Sequence, residues 1–333
     1  MHAAWYDTSG PARDVFRTGR LPTPTPHEGE VLVQVKASGI NPSDYKRRGA
    51  AQVPSESHVR TVPHSDGSGV VVEVGDGVDP SWVGRSVWMW NAVNRNGYAT
   101  PQPREWGTAA EFVALPVTCV SALPDGTSFA TGACLGVPAF TAYAAVFAEG
   151  PVKGRTVLVQ GGAGAVGELA VQFAAQDGAT VIATVSSDGK AQRARDAGAH
   201  HVVNYRERDV VAAVRAVAPT GVDRVIEVDF AANIRADAEM VQPYGVIASY
   251  SSTSAPEPPL PYYALQYKGV SIRTIQVFTM PAPLRAAAVE AITANLMNGT
   301  LRPTIAASFP LDRIAQAHEL AESRPNGNVV LSL

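Results

Sequence analysis

Short apolar runs separated by proline and glycine dominate the first third of the chain. Residues 30–35 (EVLVQV) alternate polar and apolar side chains, as a strand of a half-buried sheet does. Residues 70–74 form a valine-rich run directly after Gly-Ser-Gly, and residues 84–90 form a further apolar run. Short strands with turn-forming residues between them are typical of a compact, barrel-like β domain.

The pattern changes near residue 127, where apolar runs typical of strands begin to alternate with segments of helical periodicity. Strands are predicted over residues 156–160, 180–185, 201–203, 222–228, 246–250 and 270–277. Helices are predicted over residues 129–148, 165–177, 190–197, 207–217 and 231–241. This alternation over short links predicts a parallel, doubly wound α/β sheet of six strands, covered on both faces.

The end of the chain returns to a mixed pattern. Helices are predicted over residues 283–296 and 311–322, and the alternation of residues 328–333 indicates a closing strand that rejoins the first domain's sheet. The expected organisation is therefore a β-rich domain of residues 1–126 with 278–333, and an α/β domain of residues 127–277.

Composition excludes several classes of protein. The chain has 333 residues, of which 46% are apolar and 17% charged, with a formal net charge of −3. These values fit a globular protein with a sizeable core, and the lack of a basic excess argues against nucleic-acid binding through bulk charge. Two cysteines cannot form a disulfide framework, no apolar stretch approaches the length of a membrane span, and the first residues do not resemble a signal peptide. We therefore expect a cytoplasmic protein with no membrane association.

Residues 156–167 (TVLVQGGAGAVG) carry the strongest motif in the sequence. A buried strand leads into Gly162-x-Gly164-x-x-Gly167, with Ala165 and Val166 at the start of the following helix. The first glycine permits the tight turn, the second lets the backbone approach a pyrophosphate, and the third lets helix pack against strand. Free N–H groups at the helix N-terminus favour anions. The motif predicts a dinucleotide-binding site in a Rossmann domain.

The end of the second predicted strand favours NADPH over NADH. An NAD site usually has an acid there to bind the ribose 2′-hydroxyl. This chain has Ser186 and Ser187 instead, and Asp188 lies beyond the strand. Lys190 follows, and hydroxyl and cationic groups can both bind a 2′-phosphate that an acid would repel. A solvated helix start is the alternative interpretation.

Several ordered motifs resemble the medium-chain dehydrogenase/reductase superfamily. They are the opening residues 1–4, residues 30–44 (EVLVQVKASGINPSD), 63–75 (PHSDGSGVVVEVG), 107–116 (GTAAEFVALP), 136–147 (GVPAFTAYAAVF) and the glycine motif. Within the superfamily, the chain is most similar to the zinc-independent NADPH:quinone oxidoreductases of the zeta-crystallin type, over essentially its whole length. The resemblance implies that the β-rich domain is GroES-like and catalytic, that hydride transfer takes place in a cleft between the domains, and that the protein is a homodimer.

The zinc ligands of the alcohol dehydrogenases in this superfamily are replaced here. Gly39-Ile40-Asn41 stands where those enzymes carry a cysteine, and Ser65 stands where they carry a histidine. His64 is offset by one residue, and we interpret it as a structural or pocket-edge histidine. We expect no metal site, because zinc needs soft or imidazole ligands in tetrahedral array.

Reduction of a quinone or an activated alkene is the chemistry that fits a site without a Lewis acid. We expect NADPH-dependent quinone reduction. The first alternative is an enoyl or 2-alkenal double-bond reductase, which needs a proton donor near the substrate, with Tyr45 as the candidate. The second is an NADPH-binding structural, RNA-binding or regulatory protein with little turnover, although the balanced charge weighs against RNA.

The resemblance also assigns roles to individual residues. In the catalytic domain it implies a cofactor contact for Asn41, unless that residue forms an Asx turn before Pro42. Asp44 is expected either to line the site or to bind local backbone, and Tyr45 either to stack on a quinone or donate a proton, or to be an ordinary core or surface tyrosine. Thr141 matches the threonine beside the nicotinamide, with back-bonding inside its helix as the alternative.

Further residues are expected around the cofactor. The 2′-phosphate is expected to contact Ser186, Lys190 and Tyr205, and Ser251 and Phe278 follow the fifth and sixth predicted strands. Asn328 replaces a lysine common in the family and is included as a cofactor contact. Trp88 is expected in the core, whereas Trp106 and the loop before it are candidates to cover a flat aromatic substrate.

Overall fold

A computed structural model describes residues 1–49, 60–93, 106–147 and 149–333. These residues form two compact units, residues 1–138 with 289–333 and residues 139–288. Each boundary between the two units falls within a helix, one near residue 138 and the other near residue 288. The domain limits expected from the resemblance, 1–126 with 278–333 and 127–277, stay a prediction.

The strands, in chain order, are β1 His2–Trp5, β2 Arg17–Arg20, β3 Glu30–Ile40, β4 Asp66–Val74, β5 Ser86–Met89, β6 Phe112–Pro116, β7 Val120–Ala122, β8 Thr156–Val159, β9 Thr180–Val185, β10 His201–Asn204, β11 Val222–Glu227, β12 Val241–Ser249, β13 Ser271–Thr274, β14 Ile305–Pro310 and β15 Asn328–Ser332. The α-helices are α1 Ala12–Val15, α2 Pro42–Gly49, α3 Phe129–Gly132, α4 Val137–Phe147, α5 Ala165–Gln176, α6 Asp188–Asp196, α7 Val210–Val217, α8 Phe230–Met240, α9 Tyr262–Gln266, α10 Ala282–Met297 and α11 Ile314–Glu322.

The first unit is built on a seven-stranded sheet. Its strand order is β14-β15-β3-β4-β5-β7, and β6 pairs with β3. The last strand, β15, runs antiparallel to β3, with Val329 opposite Ile40, so the chain end does rejoin the first domain's sheet as predicted. Buried aliphatic residues of β1, β15 and α11 form one core cluster of this unit. The expected β-rich domain is confirmed.

The second unit is a parallel six-stranded sheet with strand order β10-β9-β8-β11-β12-β13. Strands β8 and β11 are neighbours at its centre, where the order of connection reverses. Ligands of doubly wound sheets bind at the carboxyl ends of the strands at this point. The predicted Rossmann architecture is confirmed, and the glycine motif follows one of the two central strands.

Three predicted elements differ from the structure. The helix expected over residues 129–148 is two helices, α3 and α4, because the chain turns at Cys134–Gly136 before α4 begins. The strand expected over 270–277 is shorter, since β13 gives way to a 3-10 turn at Val277–Thr279. The fifth strand, β12, begins at Val241 rather than at residue 246.

Among the described residues, none of the helices combines the length and the apolar character that a membrane crossing requires.

Candidate cofactor site and active site

The glycine motif forms a tight turn between β8 and α5. Gly161 has a φ of 68°, in the left-handed region that favours glycine. A side chain at Gly162 would overlap Ala183 of the neighbouring strand, and one at Gly167 would overlap the carbonyl of Gly161. Gly164 caps α5 and offers no side-chain acceptor to the helix's first N–H groups. These groups, which include Ala165 and Val166, can therefore bind a phosphate.

The structure brings two of the predicted 2′-phosphate residues together at the end of β9. Lys190 Nζ donates to Ser186 Oγ at 3.2 Å, and Ser187 caps α6. Tyr205 follows the adjacent strand β10, and its side chain is 50% exposed. The result is an open hydroxyl-and-ammonium group suited to a phosphate.

Three further residues expected to contact the cofactor also lie in the second unit. Thr141 is buried in α4. Ser251 lies just beyond β12, where its Oγ contacts Thr253 Oγ1 at 3.0 Å and its carbonyl accepts from Phe230 N. Phe278 is half-buried in the 3-10 turn after β13. Their cofactor contacts stay predictions.

A buried polar cluster surrounds Asn41, where β3 ends and α2 begins. Asn41 Nδ2 donates to Asp66 Oδ2 at 2.7 Å. The same oxygen accepts the backbone N–H of Val137, the first residue of α4, also at 2.7 Å. The Asn41 side chain is thus held by a residue of β4 and does not form a local Asx turn.

Asp66 is a functional candidate that the sequence reasoning missed. It is fully buried, and burial raises the pKa of its carboxyl well above the usual value for aspartate. Among the described residues, none donates a hydrogen bond to its Oδ1, which lies against the backbone of Gly136, where a side chain would overlap it. The available signal was its place directly after Ser65 in the motif of residues 63–75.

Asp44 is hydrogen-bonded to local backbone, and its predicted place in the site stays a prediction. Its Oδ2 accepts the backbone N–H of Asn41 at 2.7 Å, and its carboxyl also accepts from the backbone of Ser65. Burial raises the pKa of Asp44 to about 6. Tyr45, the next residue, is half-buried in α2, and burial raises the pKa of its phenol, so that the hydroxyl is a proton donor at neutral pH.

His64 is a structural histidine in the core of the first unit. It is fully buried, with Nδ1 2.7 Å from Ser38 Oγ and Nε2 2.8 Å from Nε2 of His318. Burial lowers the pKa of His64 to about 3, so the pair is neutral at physiological pH. Within the described ranges, no group of three or more His, Cys, Asp or Glu side chains is arranged to hold a metal ion.

The side chain of Asn328 is hydrogen-bonded to another segment of the chain. Its Nδ2 donates to the carbonyl of Thr304 at 2.9 Å, at the start of β15. Its predicted cofactor contact therefore stays a prediction. Trp88 lies in the core as expected, and Trp106 is half-buried beside Val62. Most of the loop predicted to cover a substrate, residues 94–105, lies outside the described residues.

Two family models match the chain. Residues 27–125 match the alcohol dehydrogenase GroES-like domain, and residues 165–294 match the zinc-binding dehydrogenase domain. The quinone oxidoreductase of Homo sapiens is 30% identical over 94% of this chain and 92% of its own length. The 2-methylene-furan-3-one reductase of Solanum lycopersicum is 33% identical over 62% of this chain and 53% of its own length.

Solved structures agree with this assignment. A mycobacterial quinone oxidoreductase superposes with a TM-score of 0.85 at 29% identity, and the comparison covers 100% of both chains. A mycobacterial structure in complex with NADPH gives the same TM-score, identity and coverage. The sequence motifs, the fold and these similarities lead to one conclusion: the chain belongs to the quinone oxidoreductase family of the medium-chain dehydrogenase/reductase superfamily.

Proposed function

We propose that the protein binds NADPH and uses its hydride to reduce quinones, without zinc. The observation that carries the proposal is the pairing of the glycine turn with the Ser186–Lys190 contact at the end of β9. The turn presents N–H groups to a pyrophosphate, and the hydroxyl and ammonium groups receive the 2′-phosphate. The mycobacterial neighbour in complex with NADPH supports this choice of cofactor.

The residues of the first unit would position the reactants. Bound NADPH supplies the hydride, and a quinone accepts it with its negative charge on conjugated oxygen. We expect Asn41, which is held by Asp66, to orient the cofactor, and the protonated phenol of Tyr45 is the candidate proton donor. Where zinc-dependent relatives carry ligands, this chain has Asn41 and Ser65, which do not form a soft or imidazole ligand set.

Reduction of activated alkenes is the second candidate function. It is favoured by the similarity to the tomato 2-methylene-furan-3-one reductase and to the NADPH-dependent alkenal/one oxidoreductase of Arabidopsis thaliana, which is 31% identical over 62% of this chain. An enone needs a proton at its α-carbon after hydride addition, so this reaction depends more strongly on Tyr45.

We also propose that the protein is a cytosolic homodimer. Both cysteines, Cys119 and Cys134, are free and buried, as in proteins of reducing compartments. Strand β13 is a sheet edge whose four residues are all exposed. An exposed edge of this kind requires covering, and a second copy of the same strand can cover it.

The test is steady-state oxidation of NADPH and NADH by the chelator-treated protein, with panels of quinones and α,β-unsaturated ketones. We expect quinone turnover that prefers NADPH and survives chelation. Lys190→Ala should raise KM for NADPH about tenfold and leave KM for NADH nearly unchanged, because it removes one charge-assisted contact to the 2′-phosphate.

Lys153→Ala, at an exposed position of the same unit, is the matched control and should change neither value. Turnover of enones alone would transfer the assignment to double-bond reduction. Tight NADPH binding without turnover of any acceptor would favour a structural or regulatory protein instead. Activity abolished by the chelator would overturn zinc independence.

A further inference from the structure

Two buried carboxyl groups are in contact beneath the dinucleotide-binding turn. Glu227 ends the central strand β11, and Asp237 lies on α8; both are fully buried. Each carboxyl lies close enough to the other to shift its titration. Two ionised carboxylates so close together in the core would repel strongly, which favours a state with one proton shared by the pair.

The surrounding donors indicate which residue carries this proton. Glu227 Oε1 accepts from the backbone N–H of Asp229 and from Asn233 Nδ2, and the latter also contacts Oε2 at 3.2 Å. Asp237 accepts from one donor, at Oδ1, and none of the described N–H or O–H groups donates to its Oδ2. Glu227 is therefore the ionised partner, and Asp237 donates to it. Burial raises the pKa of both groups, and the charge of Glu227 raises that of Asp237 further.

A line of hydrogen bonds connects the pair to the glycine turn. The backbone N–H of Gly161 donates to Thr184 Oγ1 at 3.0 Å. Thr184 Oγ1 donates to Gln160 Oε1 at 2.7 Å, and Gln160 Nε2 donates to Asp237 Oδ1 at 2.9 Å. Each residue therefore donates a hydrogen bond to the next, from Gly161 through Thr184 and Gln160 to Asp237. Asp237 in turn can donate its proton to Glu227.

We propose that Asp237 and Glu227, by sharing one proton, position the dinucleotide-binding turn at residues 160–164, so that losing this proton weakens NADPH binding. The proposal rests on the proposed function, because NADPH is the ligand of that turn. Both acids are positioning residues: they act through Gln160 and Thr184. When the proton is lost, two buried negative charges repel, and the displacement of Asp237 withdraws the acceptor on which Gln160 depends.

The other charged and titratable groups near the pair do not neutralise the charge of Glu227. Asp229 precedes α8, and the half-buried Tyr250 follows β12, with a pKa raised by burial and by Glu227. Lys268 and Arg215, from the segments packed against α8, donate to carbonyls at its C-terminal end, including that of Glu239. Asp229, which is acidic, adds to the negative charge around Glu227.

The variant Asp237→Asn removes the titratable proton and keeps the hydrogen bonds of the side chain. Its amide oxygen can accept from Gln160 Nε2 as before, and its NH₂ group can donate to Glu227 without any titratable proton. Glu227→Gln is the contrasting variant, because its amide would face the N–H groups of Asp229 and Asn233. We expect Asp237→Asn to fold and to bind NADPH at neutral pH within about twofold of the wild type.

The experiment is a fluorescence titration of the full chain with NADPH from about pH 7 to about pH 9.5. The dissociation constant of the wild type should rise about fivefold or more, and that of Asp237→Asn less than about twofold. Any effect of pH on NADPH or on the rest of the protein contributes equally to both proteins. A flat wild-type profile, or a parallel rise in the variant, would overturn the proposal.

A second readout is independent of the cofactor. The infrared difference spectrum between the wild type and Asp237→Asn should contain the C=O stretch of a protonated buried carboxyl that the variant lacks, because other buried carboxyls such as Asp66 contribute equally to both proteins. An unchanged band in the variant would contradict the shared proton. Absence of NADPH binding at every pH, with the band present, would instead reject the proposed function and, with it, the role of the pair in binding.

Discussion

Asp66 shows how one buried carboxylate determines the position of groups from separate segments. A single oxygen, Oδ2, accepts from the side chain of Asn41 and from the backbone of Val137, each at 2.7 Å. A carboxylate can accept several hydrogen bonds at once, whereas serine or alanine in its place would leave at least one donor unpaired in the core. The residue therefore fixes both the Asn41 amide and the beginning of α4.

Asp66→Ala should lower kcat/KM about tenfold or more, because the Asn41 amide loses the partner that orients it. Steady-state kinetics with NADPH and a quinone would measure this change. Glu73→Gln, at an exposed position of the same strand, is the control and should retain wild-type kinetics. Equal activity of Asp66→Ala and the wild type would contradict a positioning role for Asp66.

At the scale of single residues, the sequence predicted more of the glycine turn than of the polar cluster around Asn41. Gly162, Gly164 and Gly167 belong to one continuous motif, whose strand and helix on either side could be identified from periodicity. Asp66 and Asn41 are 25 positions apart and meet only because β3 and β4 pair. The proton shared by Glu227 and Asp237 likewise depends on packing between a strand and a helix.

At the scale of elements, cationic side chains cap the C-terminal ends of two helices in the second unit. Arg224, on the central strand β11, donates to the carbonyls of Val146, Glu149 and Gly150 at the end of α4. Lys268 donates in the same way to Ala238, Glu239 and Val241 at the end of α8. Helix C-termini carry unpaired carbonyls and partial negative charge, so a cation satisfies both requirements.

Replacing Arg224 with methionine should destabilise the protein by about 3 kcal/mol, since buried carbonyls at the end of α4 lose their donors. Urea unfolding monitored by circular dichroism would measure the change. Arg235→Met, at an exposed position of α8, should alter stability by less than about 0.5 kcal/mol. If both variants unfold at the same urea concentration, Arg224 does not stabilise this helix end.

The break between α3 and α4 marks a limit of prediction at this scale. Residues 129–148 are mostly apolar or small, and the glycines and Pro138 among them do not by themselves show where one helix ends and the next begins. The actual helix boundary depends on Asp66, which binds the N–H of Val137, and on Gly136, where any side chain would overlap that carboxyl. Both are tertiary constraints, which local propensity does not contain.

At the scale of the whole molecule, the alternation of strands and helices predicted the six-stranded parallel sheet and the return of β15 to the first sheet. Exposed side chains were harder to interpret, because a sequence does not show which apolar residues lack cover. Four tyrosines near the β13 edge are more than half exposed in the second unit: Tyr244, Tyr262, Tyr263 and Tyr267. Exposed aromatic groups of this kind are typical of protein interfaces.

The proposed homodimer predicts that this edge is buried between two copies. Light scattering should give a mass twice that of the 35.0-kDa chain, and Tyr267→Glu should shift it toward the monomer because it places a charge on each side of the contact. Tyr267 is 82% exposed, so the substitution should leave the fold and the circular dichroism spectrum intact. Met297→Glu, at an exposed position of α10, is the matched control and should remain dimeric. A wild-type mass equal to one chain at every concentration would reject the dimer, and a dimeric Tyr267→Glu would place its interface elsewhere.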